Sequence, residues 1–135
     1  MKKFFTKGLL AANIFIFSTV AFAGFGESEW NFALGESVKI GNPENDMRSG
    51  VEYGCNKFMP EKVSFTLSYS APSDLEKLYI KTDDKNKITH DKENKIFTLK
   101  DIKSLDIGFP PVGNYIFKNI TEQRVIGIDC DTGDF

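Results

Sequence analysis

The sequence predicts an all-β fold, a single antiparallel β-sandwich or flattened barrel held by one disulfide. Three observations predict it. Apolar residues recur with period two along most of the chain after residue 23, the spacing that gives a strand one buried and one solvated face. Short polar turns separate these runs, as antiparallel sheets require. The only two cysteines, Cys55 and Cys130, both fall among the apolar positions of such runs.

The chain opens on an address. Lys2, Lys3 and Lys7 give a basic start, Leu9 to Val20 an apolar run, and Ala21-Phe22-Ala23 a small-x-small cleavage site, the three parts of a secretory leader. The competing reading is a membrane anchor. Its apolar core would be twelve residues interrupted by Asn13, whereas a spanning helix needs about twenty. No cysteine marks the cut site for lipid attachment. The expectation is a signal peptide over residues 1–23 and a single exported β-domain over residues 24–135. The product is expected in the periplasm or secreted, with no stable membrane insertion after signal cleavage. In an oxidising compartment the two cysteines are expected to join. The alternatives are two free thiols or a metal pair, and the latter would need ligands beyond the lone His90.

Trp30 to Leu34 and Glu36 to Ile40 read as a first hairpin around Gly35. Val51, Tyr53 and Cys55 alternate next, and Asn56 to Pro60 reads as the connection, since proline suits a strand interior poorly. The clearest strand runs from Lys62 to Ser70. Val63, Phe65, Leu67 and Tyr69 share one face, and Ser64, Thr66, Ser68 and Ser70 the other. A meander follows, with strands at 78–82, 87–90 and 95–99 and polar turns at 83–86 and 91–94. Eight lysines and eight acids between Asp74 and Asp106 balance there, which reads as a solvated edge that discourages pairing with other chains. One segment competes with the all-β reading. Ser73 and Glu76 fit a capping box, and Leu75, Leu78 and Tyr79 have helical spacing, so one short helix near residues 73–80 is the alternative. Gly108 to Gly113 reads as a rigid surface loop. Tyr115 and Phe117 define a further strand, and Ile126, Ile128 and Cys130 a last one pointing toward the core.

Charge narrows the partners. Losing three leader lysines and no acid takes the formal charge from −2 to −5, a poor match for nucleic acid or anionic lipid, which need a basic surface. No nucleic-acid partner is expected. The chain has no G-x-S-x-G elbow and no phosphate loop, so no catalytic set is assigned and the chain is read as no enzyme. His90 lies beside Asp91 and reads as a solvated loop histidine. Asp129, Asp131 and Asp134 around Gly133 carry a calcium alternative, without the full loop pattern that ion prefers; no metal site and no cofactor are assigned. Asn119-Ile120-Thr121 matches a glycosylation sequon by coincidence.

The aromatic residues are the remaining feature. Most of them read as core. Phe58, Phe109 and Phe135 fall in expected loops or at the end, and an aromatic beside Pro110 and Pro111 is the kind of residue that protein-binding surfaces use. Phe109, Pro110, Pro111 and Phe58 are therefore the candidate partner-binding residues. The resulting expectation is a small exported protein-binding module, of the inhibitor or immunity type, against an envelope-directed enzyme or toxin. The alternatives are a carboxylate-based extracytoplasmic hydrolase, whose two acids a sequence cannot single out, and a subunit of a secreted or surface assembly.

Overall fold

The computed structural model describes residues 24–26, 28–41 and 50–134; the expected leader over 1–23, and Phe135, lie outside the described residues. The described residues form eleven strands: β1 (Gly24–Phe25), β2 (Glu29–Phe32), β3 (Ser37–Ile40), β4 (Val51–Met59), β5 (Val63–Ser73), β6 (Tyr79–Thr82), β7 (Ile88–Asp91), β8 (Ile96–Ile102), β9 (Leu105–Phe109), β10 (Gly113–Asn119) and β11 (Val125–Asp134). All pair antiparallel. One sheet has the order β1-β2-β11-β4-β9-β6 and the other β3-β10-β5-β8-β7. The sheets pack on each other as a sandwich whose core is the inward half of each alternating run.

That core is largely aromatic. Trp30, Phe32, Phe65, Phe109 and Phe117 are fully buried among Val63, Leu67, Leu99, Ile102 and Ile107. Phe25 closes one end of it, stacked on Tyr53 at 4.2 Å and edge-on to Trp30 at 4.7 Å. The four residues that alternate inward on β5 begin this packing, and β10 answers them from the next strand, Phe117 lying opposite Leu67 and 4.5 Å from the ring of Phe65.

Cys55 and Cys130 form the expected disulfide, between directly opposed residues of β4 and β11 with Cα atoms 4.0 Å apart. It joins neighbouring strands of one sheet. Gly127 makes room for it, because a Cβ there would sit 2.5 Å from Cys55 Sγ and 3.0 Å from Trp30 Cβ.

Several local expectations change. The Gly35 turn is no hairpin: β2 joins the larger sheet and β3 the smaller, so the turn carries the chain from one sheet to the other. Gly35 takes φ 74° there, a conformation that glycine enters at little cost. β4 runs on through Met59, because Phe58 finds a core slot beyond the outward pair Asn56 and Lys57. In β11 the inward residues are Val125, Gly127 and Cys130, while Ile128 is exposed. Asp129 at φ 63° slips the alternation by one residue, so Cys130 points inward without the two isoleucines. The short helix over 73–80 does not form. Lys77 and Leu78 both donate to the Asp74 carbonyl, a single turn, after which β6 pairs on β9. One turn carries the cost of nucleation with no propagation to offset it, whereas β6 gains a full ladder. The expected polar turn at 83–86 takes the form of a 3-10 turn over Lys85–Lys87, capped by Asp84.

Two buried polar anchors close the ends of the sandwich. Asn119 is fully buried. Its Nδ2 donates to the carbonyls of Phe32, Ala33 and Gln123 at 3.1–3.3 Å, and its Oδ1 accepts from Thr121 N at 2.9 Å. The sequon is therefore a structural knot that ties the β2–β3 turn to the β10–β11 loop. Asn119→Ala is expected to cost about 2–3 kcal/mol in urea unfolding, since it leaves several buried groups without partners. At the other end Tyr115 Oη donates to the Val112 carbonyl three residues back at 3.1 Å, a tyrosine corner, and accepts from Asp74 N at 3.3 Å. Its ring lies against Gly113, where any Cβ would collide with it.

Candidate functional site

The most distinctive surface is the outer face of the six-stranded sheet. It is built from the residues that alternate outward on β11, β4 and β9. Register sets them in rungs: Gly133, Glu52 and Gly108 lie side by side, then Asp131, Gly54 and Asp106. Asn56 and Asp129 follow, joined by a hydrogen bond of 3.4 Å from Asn56 Nδ2 to Asp129 Oδ2. Glu52, Gly54, Asn56, Asp106, Asp129 and Asp131 line a furrow of about 250 Å³.

Gly54 is the floor. A Cβ there would collide with Asp106 Oδ1, so the missing side chain is what lets that carboxylate lean over β4. Glu52, Asp106, Asp129 and Asp131 thus converge on one concavity. No salt bridge reaches any of the four among the described residues. The nearest cations by register are Lys81, opposite Asp106 on the edge strand β6, and Lys57, on the next rungs of β4. Among the described residues no group of three or more acids, histidines and cysteines is placed to hold a metal ion.

The furrow borders an apolar strip on the same face. Ile126 lies opposite Met59, and Ile128 opposite Lys57. Met59 is 58% exposed and Ile128 38%. One sheet face therefore offers carboxylates at one end and uncovered aliphatic side chains at the other.

The candidate partner-binding residues lie elsewhere. Phe109 is the last residue of β9 and is 0% exposed; its ring packs 5.4 Å from Tyr115 and 6.1 Å from Tyr53. Phe58 is 5% exposed, against Trp30 and Phe65. Pro110 is buried and Pro111 half-buried, leaving Val112 as the exposed tip of that loop. The two rings are core because Phe109 continues the inward alternation of Leu105 and Ile107, and Phe58 restarts that of β4 after its slip. His90 differs from its expected solvated loop. It sits on β7, half-buried, stacked on Phe97 with centroids 3.9 Å apart and 2.8 Å from Tyr69 Oη through Nε2, where it fastens the edge strand β7 to β5.

The acidic furrow was missed as a unit because its members come from three strands. The signal in sequence is faint: Glu52-x-Gly54-x-Asn56 and Asp129-x-Asp131-x-Gly133 both alternate polar and small residues beside a cysteine of the core.

Fold and site together define a class: a two-sheet antiparallel β-sandwich with one intra-sheet disulfide and an acidic furrow on its larger face. Among the described residues no helix is long and apolar enough to cross a membrane. No protein-family model, curated protein or solved structure matches the chain.

Proposed function

We propose that this protein is an exported binding module that holds a basic, partly apolar segment of another protein on the outer face of its six-stranded sheet. The observation that carries the reading is the pairing of carboxylates, unbridged among the described residues, with exposed Met59 and Ile128 on that one face. Complementary charge steers a cationic partner and sets its register, while apolar contact at the centre of an interface supplies most of the affinity. Export is supported by the leader pattern over 1–23 and by the disulfide, which persists in oxidising compartments. An envelope-directed enzyme or toxin with a basic surface is the kind of partner this face would suit.

A peptide of alternating lysine and valine, with a glutamate-valine peptide as control, tests this. The protein is expected to bind the lysine peptide, more weakly as salt rises, and the triple variant D106N/D129N/D131N is expected to lose about tenfold or more in affinity. Equal binding of both peptides, or no effect of the triple variant, would overturn the assignment.

A second reading, a carboxylate-based hydrolase, is favoured by Asp106 and Asp131 flanking Gly54 from opposite sides. It requires turnover of a glycan that D106N and D131N each abolish, which the binding reading does not.

A further inference from the structure

We propose that the outer face of the five-stranded sheet is a pairing surface for a second copy of this chain, related by a two-fold axis that runs along β5. The surface is independent of the acidic furrow, which lies on the opposite side of the sandwich.

Register lays out the outward residues in straight rows across the five strands. One row reads Asp91, Ile96, Ser68, Ile116, Lys39 from β7 to β3. The row beside it reads Thr89, Thr98, Thr66, Lys118, Ser37 in the same order. Both are centred on β5, the middle strand. The first row is self-complementary: acid and base at the two ends, an isoleucine inside each, a small hydroxyl in the middle.

A two-fold axis along the middle strand exchanges the two sides of the sheet. Asp91 then meets Lys39 of the second copy, Ile96 meets Ile116, and Ser68 meets itself. In the second row Thr98 meets Lys118, Thr89 meets Ser37, and Thr66 meets itself. Every contact in these two rows is thus opposite charge, apolar to apolar, or hydroxyl to hydrogen-bonding group, and no like charges oppose within them. An isologous interface requires this self-match. The shape agrees with the chemistry. Lys39, Ser68, Ser70, Asn114 and Ile116 line a furrow of about 310 Å³ on the β3 side of β5, and the same axis places the second copy's Ile96 over it. Small hydroxyls along β5 let the sheets approach, and Ile116 is 45% exposed in the single chain.

Five strands spaced about 4.8 Å apart give a face roughly 20 Å wide. That is the small end of specific interfaces, so the dimer is expected to dissociate on dilution.

Sedimentation of the protein purified from the exported fraction, from about 1 µM to about 1 mM, is expected to show a monomer–dimer equilibrium. Ile116→Asp is expected to weaken it about tenfold or more. Asp91→Lys and Lys39→Asp are each expected to weaken it, because each sets like charges opposite one another, and the double variant D91K/K39D is expected to restore it. Met59→Asp, on the other sheet, leaves it unchanged. A monomer at every concentration overturns the proposal. So does a dimer indifferent to Ile116→Asp, or a double variant no tighter than the two singles. Restoration in the double variant separates interface from fold, since a merely destabilised chain is not rescued by a second charge change.

Discussion

Replacing Cys55 and Cys130 together by alanine is expected to lower unfolding free energy by about 4 kcal/mol. The bridge closes a loop with a sequence separation of 75, and a long loop loses the most chain entropy in the unfolded state when it is tied. A domain of this size has about 5–15 kcal/mol in all, so the variant retains a thin margin. Its melting temperature should fall by roughly 15–25 °C, the shift that such a loss produces in a small domain. Thermal denaturation followed by circular dichroism, with and without reductant on the parent, reads the effect. Reduced parent and double variant should coincide. A melting temperature unmoved by either would remove the disulfide as the main staple. Gly127→Val should behave similarly for a different reason, because its side chain would compete with both sulfurs for space.

Phe117→Ala is expected to cost about 3–5 kcal/mol, the range for deleting a buried ring. Phe117 lies where the two sheets meet, 4.5 Å from Phe65 on its own sheet and 5.1 and 5.5 Å from Phe25 and Phe32 on the other. Surrounding rings cannot collapse into the space without leaving their own contacts, so most of the cavity persists. The neighbouring Ile116→Thr points outward and should stay within about 0.5 kcal/mol. Urea titrations of the two variants, compared at constant slope, measure the contrast that alternation along β10 dictates. Equal losses at 116 and 117 would mean that the strand's inner and outer faces are misassigned.

Where alternation is clean, reading the sequence succeeds. β5 and β10 lie as expected, inward residue by inward residue, because period-two burial is a local property that a sequence displays directly. The reading fails where alternation slips. Asn56–Lys57 and Asp129 each shift a strand by one residue, and those two slips face one another across β4 and β11. They turn Phe58 into the core and Ile128 out of it, reversing what the flanking residues imply. Phe109 fails for another reason. Leu105-x-Ile107-x-Phe109 does alternate, but the two prolines that follow draw attention to the loop and away from the strand that ends there. The acidic furrow was invisible as a site because its four carboxylates stand up to 79 positions apart, Glu52 to Asp131, and become neighbours only through register.

The sequence by itself determined the class of fold, the inward faces of β5 and β10 and the partnership of two sulfurs, since each follows from which residues avoid water and from a chain with two cysteines. Tertiary structure decided which sheet each strand joined, that the Gly35 turn passes between sheets, and which surface residues share a face. Those depend on pairing between distant segments, where ladder hydrogen bonds are equivalent from strand to strand and only the fit of side chains in the shared core selects one arrangement.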